Sequence, residues 1–147
     1  LHSLKKVIEK VDVLLINEGE AKILTKAPNA ISAAPLLCKM GPKAVVIKRG
    51  EYGFALYHDG HFFILPAFPI SRVTDPTGAG DTFAGGFMSY LAQHGGDLSA
   101  ESLRNACVRG CMLASFTVQD FSVRALLQLS TKEVEKRRAE YHKVISL

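Results

Sequence analysis

Cysteine is scarce in this 147-residue chain: Cys38, Cys107 and Cys111 are the whole complement. Three cysteines cannot close a disulfide framework, and all three lie among apolar neighbours, the pattern of small core side chains kept reduced. Cys107 and Cys111 are four residues apart, on one face of a helix, but no His or carboxylate joins them at ligand spacing, which argues against a metal site there. His58 and His61 flank a predicted turn and read as exposed tips. No apolar run approaches the length of a membrane span and no signal peptide is visible, so the expectation is a cytoplasmic protein without a membrane partner. Charge of one sign is not in large excess. The net charge is +4 and the basic residues are dispersed, apart from Lys136-Arg137-Arg138, which reads as the solvated face of a charged helix. Nucleic acid is therefore not an expected partner. Two phosphate-binding motifs are missing as well. There is no Gly-x-x-x-x-Gly-Lys-[Ser/Thr], and Phe83 stands at the third glycine position of Gly-x-Gly-x-x-Gly, which disfavours a dinucleotide-binding oxidoreductase. An initiator Met is also lacking, and Leu4, Val7, Ile8 and Val11 show helical spacing from the start. The expectation is the C-terminal portion of a longer chain.

What is present fits one α/β domain over residues 1–147, with a hydrophobic content of 48% and a charged content of 22%. Val11–Ile16 and Ala44–Lys48 are short, nearly continuous apolar runs, the signature of strands buried on both faces. The first run ends at Asn17–Glu20, followed by Ala21–Leu24 as a helix start with acidic first-turn residues, and another short helix is predicted over Ile31–Met40, stopped by Gly41-Pro42. Phe54–Tyr57 and Phe62–Leu65 flank Asp59-Gly60, a strong hairpin signal. Pro66, Pro69 and Pro76 make an extended connection over Pro66–Thr77. A helix then carries Ala79, Phe83, Ala84, Phe87, Met88 and Leu91 on one side and ends near Gly95-Gly96. Another runs from Ser99 or Ala100 toward Thr117. Ser130-Thr131-Lys132-Glu133 is a capping box opening a last amphipathic helix with Val134, Tyr141 and Ile145 inward.

The chemistry centres on Asp75-Pro76-Thr77-Gly78-Ala79-Gly80-Asp81. Gly78, Ala79 and Gly80 leave their backbone N–H groups unobstructed at a helix start, where unsatisfied donors and the helix dipole favour an anion. Asp81 places a carboxylate in that same turn. An anion cradle beside a carboxylate suits phosphoryl transfer to a hydroxyl: the cradle stabilises developing negative charge and the carboxylate accepts the hydroxyl proton. An acidic residue in a glycine-rich first turn is also what helix capping alone would place there. The spacing Asp-x-x-Gly-x-Gly-Asp, with Asp81–Phe87 following, resembles the second signature of the ribokinase-like (PfkB) family of carbohydrate and nucleoside kinases. The resemblance implies a Rossmann-like parallel sheet with flanking helices and an antiparallel edge hairpin, truncated at the N-terminus. It implies ATP and Mg²⁺ as cofactors, Asp81 as the general base, and the amides of Gly78, Ala79 and Gly80 as the anion hole. In some relatives the positions of Asp75 and Thr77 help bind a monovalent cation such as K⁺. Pro76 replaces the commoner Thr, fixing φ and removing one N–H.

The resemblance covers roughly Val11 to Leu127. Asn17-Glu18-Gly19-Glu20 matches the family's Asn-x-x-Glu element, so Asn17 would lie near the phosphates and Glu20 would hold Mg²⁺ through water, in keeping with that ion's reluctance to dehydrate. Glu20 read by itself is a first-turn acid complementing the helix dipole. Lys48-Arg49-Gly50-Glu51-Tyr52-Gly53 lies where relatives carry a Gly-x-x-Gly turn at the nucleotide phosphates. Lys48, Gly50 and Gly53 are the implied contacts there, and a plain strand-ending turn is the reading without the resemblance. Asn105 corresponds to an Asn-Ala segment bordering the adenine pocket. The family's N-terminal part has no counterpart here, so the acceptor, a sugar or a nucleoside, is not specified, and the isolated chain is expected to be inactive. A sugar is the primary expectation, with a nucleoside acceptor or a non-catalytic nucleotide-binding domain as alternatives. The strand beginning at Val11 would be left with an exposed edge that favours association, such as a homodimer.

Overall fold

The computed structural model describes residues 2–121 and 124–146, excluding the side chain of His2. Ser122 and Val123, inside the stretch of family resemblance, lie outside the described residues. The chain divides into two compact units, Leu1–Leu65 and Pro66–Leu147.

The first unit is a four-stranded sheet with helices α1 (His2–Ile8), α2 (Glu18–Thr25) and α3 (Ala30–Cys38). Strands β1 (Val13–Asn17), β2 (Ala44–Lys48), β3 (Phe54–His58) and β4 (His61–Leu65) lie side by side in that order. β1 and β2 are parallel, pairing Val13 with Ala44 through Asn17 with Lys48, while β2–β3 and β3–β4 are antiparallel. The sheet is thus mixed, an α/β arrangement in which the expected hairpin continues one parallel pair. Its turn is Asp59-Gly60, both at positive φ (49° and 77°), which matches the two-residue hairpin geometry whose twist suits the flanking strands.

Alternation along the strands assembles the core. Leu14 and Ile16 of β1, Val45 and Ile47 of β2, and Tyr57 of β3 share one face with Ala21, Ala30, Ala33, Ala34 and Leu37 of the helices. The run of alanines lets α2 and α3 lie close to the sheet. β2 is buried throughout its first four residues, as its apolar run predicts. β1 departs from the prediction: only Ile16 is buried and Val13–Leu15 are half-buried, because β1 is an edge strand. The strand also starts two residues later than expected. The Asp12 carbonyl instead accepts the N–H groups of Lys43 and Ala44, and its side chain pairs with Lys43 at 2.8 Å. His58 is half-buried rather than an exposed tip.

The second unit is helical: α4 (Ala79–Gln93), α5 (Ala100–Thr117), the short α6 (Arg124–Leu127) and α7 (Thr131–Ile145), preceded by the irregular stretch 66–78. α4 and α5 meet through glycines. A Cβ on Gly86 would lie 2.9 Å from Gly110 Cα, and a Cβ on Gly110 would lie 2.6 Å from the Phe83 carbonyl oxygen. Phe83, Phe87 and Leu91 of α4 and Leu103, Ala106, Cys107 and Cys111 of α5 are buried, whereas Met88, expected inward, is 56% exposed. α7 opens on the expected capping box, with Ser130 Oγ accepting from Glu133 N. It is anchored by Tyr141, whose hydroxyl donates to the Pro66 carbonyl at 2.6 Å. The basic knot is not wholly solvated. The Arg137 guanidinium lies 3.6 Å from the centre of the Phe116 ring and donates to Ser115 Oγ at 3.1 Å, since a weakly hydrated planar cation gains from stacking on an aromatic face. Cys107 and Cys111 are buried free thiols, raised by burial above the usual range, as expected of core cysteines. No helix among the described residues is long and apolar enough to cross a membrane.

The glycine crossing gives a paired prediction. Gly110→Ala forces α4 and α5 apart and should destabilise by about 1–3 kcal/mol, as overpacking does. Gly85, one residue from the crossing and with open space around its Cβ position, should gain about 0.5–1 kcal/mol when replaced by Ala in the helix interior. Urea titration of both variants checks the opposite signs.

Candidate functional site

In the first unit the candidate residues gather at the carboxyl ends of the two parallel strands, the end of an open α/β sheet where ligands bind. Asn17 is the last residue of β1 and the N-cap of α2. Its Oδ1 accepts the N–H of Glu20 at 2.8 Å, and Glu20 Oε2 accepts the N–H of Asn17 at 3.1 Å. The Asn-x-x-Glu element is therefore a capping box, which fixes both side chains and leaves Glu20 exposed to solvent. Lys48, the last residue of β2, is Asn17's register partner across the parallel pair. A single 3₁₀ turn, Gly50–Tyr52, follows it. Gly53 closes this turn at φ 80°, ψ −124°, a conformation open essentially to glycine, and its N–H donates to the Gly50 carbonyl at 3.0 Å. Glu18, in the first turn of α2, is flanked by Arg49 at 3.6 Å and Lys22 at 3.5 Å. Arg49 was not expected at this position; its pairing across 31 residues leaves no local trace in the sequence.

In the second unit α4 begins at Ala79. Gly78 is its N-cap in the left-handed region, φ 82°, which supplies the sharp turn into the helix without strain. Asp81 is consequently the third helical residue, exposed, and among residues without bulk on the N-terminal side. The N–H of Ala79 is engaged, donating to the Pro76 carbonyl at 3.2 Å, while Thr82 N–H closes the first turn on the Gly78 carbonyl at 2.9 Å. Asp75 Oδ1 accepts the N–H of Thr77 at 2.9 Å. That backbone N–H, and then the Thr77 hydroxyl, hold the Asp75 carboxyl below the usual carboxylate range. Asn105 sits exposed on α5.

The approach to α4 is tied to the last turn of α5. The N–H groups of Thr74 and Asp75 donate to the Val118 carbonyl at 2.7 and 3.4 Å, and Thr74 Oγ1 donates to the Gln119 carbonyl at 3.0 Å. Thr117 Oγ1 donates to Thr82 Oγ1 at 2.9 Å. These ties join positions 35 to 45 residues apart and had no counterpart in the sequence reading. The glycines at 86 and 110, unusual in helix interiors, are the one signal that could have placed α5 against this loop.

Metal and phosphate fit the residues present in different degrees. Among the described residues no group of three or more His, Cys, Asp or Glu could hold a metal ion, so a magnesium ion here would depend on Glu20, water and the phosphates themselves, the usual manner of binding for that ion. The α4 N-terminus, with its small residues and left-handed cap, fits an anion.

Comparison with known proteins agrees with this architecture. The model of the pfkB family of carbohydrate kinases matches residues 1–129, and the chain belongs to that family. It is 44% identical over 88 residues to a cytidine kinase of Thermococcus kodakarensis, covering 58% of this chain and 31% of that one. Among solved structures, Arabidopsis thaliana ribokinase complexed with ribose and ATP matches with a TM-score of 0.71 and 31% identity, over 91% of this chain and 43% of that one. Aminoimidazole riboside kinase of Salmonella enterica, complexed with aminoimidazole riboside and an ATP analogue, shares the fold at a TM-score of 0.82 and 22% identity, over 93% of this chain and 45% of that one. The chain thus spans less than half the length of these relatives.

The Asp75 turn carries a pH prediction. Its carboxyl is favoured in the ionised form in the folded chain, so this contribution to anchoring is present above the unfolded value of about 3.9 and is lost as pH falls through the lower folded value. Carboxyl ¹³C shifts should show Asp75 titrating below the usual carboxylate range, with the Thr77 amide signal following the same midpoint.

Proposed function

We propose that this chain is the ATP-binding and catalytic part of a kinase that transfers the γ-phosphoryl group of ATP to a hydroxyl of a sugar. The observation that carries the reading is the first turn of α4. An exposed carboxylate, Asp81, stands three residues beyond a left-handed glycine cap, and the residues between are only Ala79 and Gly80.

In this reading the acceptor hydroxyl gives its proton to Asp81 as its oxygen bonds to the γ-phosphorus, and ADP leaves with the electrons of the broken P–O bond. The amides of Gly78, Ala79 and Gly80 face the transferring group, where the helix dipole favours its charge. The Ala79 amide would exchange its 3.2 Å bond to Pro76 for the stronger charge-assisted one to phosphate. Positioning and electrostatics dominate the rate, because the transferring group needs little covalent help. In the first unit Asn17, Lys48, Gly50 and Gly53 serve the nucleotide phosphates, with Lys48 as a point charge. Magnesium, when bound, would neutralise phosphate charge, with Glu20 reaching it through water. Asn105 serves the adenine, and Asp75 and Thr77 a monovalent cation.

A nucleoside acceptor is the second reading. It is favoured by the 44% identity to a cytidine kinase over 88 residues, and the chemistry at Asp81 would be the same for either acceptor.

Replacing Asp81 by Asn in the complete kinase should lower kcat by about 10²–10⁴-fold, the range of a lost general base, while ATP affinity stays within about twofold because uniform binding is untouched. Turnover near wild type would overturn the assignment. Thermal unfolding gives a separate check. MgATP at 100 times its Kd should stabilise the protein by about 2.7 kcal/mol, and NADH should not. ATP stabilisation with no phosphoryl transfer to any sugar or nucleoside would favour a non-catalytic binder.

A further inference from the structure

Thr117 is 35 residues from Thr82 in sequence, yet its hydroxyl is the hydrogen-bond donor to the Thr82 hydroxyl, 2.9 Å away. Thr117 is buried, 2% exposed, so it is the fixed partner, while Thr82 is the residue after the candidate base Asp81. The Thr117 methyl also lies 3.9 Å from where a Cβ on Gly78 would stand, so the same side chain backs the glycine cap. One residue on, the Val118 carbonyl accepts the N–H groups of Thr74 and Asp75. The end of α5 therefore grips the cradle on both sides, at the irregular approach before Gly78 and one residue beyond the carboxylate.

We propose that Thr117 is a positioning residue for the phosphoryl-transfer site. It holds the first turn of α4 so that Asp81 and the neighbouring amides keep one geometry. The inference rests on the reading of Asp81 as the base, but it assigns a function to a residue outside the signature motif. A buried hydroxyl bonded only for packing could be replaced by an isosteric methyl with little consequence for rate. A hydroxyl that sets the register of a catalytic turn could not, since displacements of the order of an ångström at a reacting group can lower rates by about 10²-fold.

The test uses Thr117→Val, which keeps the methyl and the shape, and Thr117→Ser, which keeps the hydroxyl. In the complete kinase, Thr117→Val should lower kcat by about 10- to 100-fold with KM for ATP changed far less, and Thr117→Ser should recover most of that loss. In the 147-residue chain itself, Thr117→Val should speed hydrogen exchange of the Asp81 and Thr82 amides while exchange in the middle of α5 is unchanged. If Thr117→Val keeps wild-type kcat and exchange while Asp81→Asn is inactive, the positioning role is wrong and the base assignment stands. If Asp81→Asn is itself active, the reading on which the inference rests is what fails. A uniform acceleration of exchange throughout α5 would overturn the positioning role in favour of a purely structural one.

Discussion

The close crossing of α4 and α5 is the constraint on which the candidate catalytic turn depends. At Gly86 and Gly110 the two backbones approach so closely that neither position has room for a methyl group. Only this proximity lets the last turn of α5 reach the loop before α4, so that the Val118 carbonyl and Thr117 hydroxyl meet groups on either side of Gly78. The exposed Asp81 is held by buried neighbours. At a helix start, where the first amides have no acceptor one turn back in their own helix, these contacts from a second element add rigidity.

The first unit solves a similar problem with local means. Asn17 and Glu20 bind each other's backbone, and the turn after β2 closes on itself through Gly50 and Gly53. Both devices stand at the carboxyl ends of adjacent parallel strands, joined by the register of Asn17 with Lys48. Here the side chains proposed to serve the nucleotide are the same ones that cap and terminate the elements. An N-cap role and the proposed phosphate role of Asn17 are compatible, since capping uses its Oδ1 and leaves the side-chain N–H₂ as the donor a phosphate would need.

Legibility in the sequence followed the range of the interaction. The Asp59-Gly60 hairpin turn and the Ser130–Glu133 capping box were readable because a few adjacent residues determine them. The apolar run of β2 announced its burial, but the similar run of β1 did not announce its edge position, which depends on what else joins the sheet. Arg137 looked like one more solvated charge; only the fold brings Phe116 beneath it. The glycine cradle and Asp81 were visible as a motif, whereas the Thr117–Thr82 tie spans 35 residues with no local signal.

The central claim is that the first turn of α4 receives the terminal phosphate of a nucleotide. The most direct measurement is the response of backbone ¹⁵N–¹H signals in the labelled kinase to a non-hydrolysable ATP analogue and, separately, to AMP. The account predicts large shifts at Gly78, Gly80 and Asp81 with the triphosphate and almost none with AMP, which lacks the β- and γ-phosphates. Equal responses to both ligands, or a triphosphate response that leaves these amides unmoved, would contradict it.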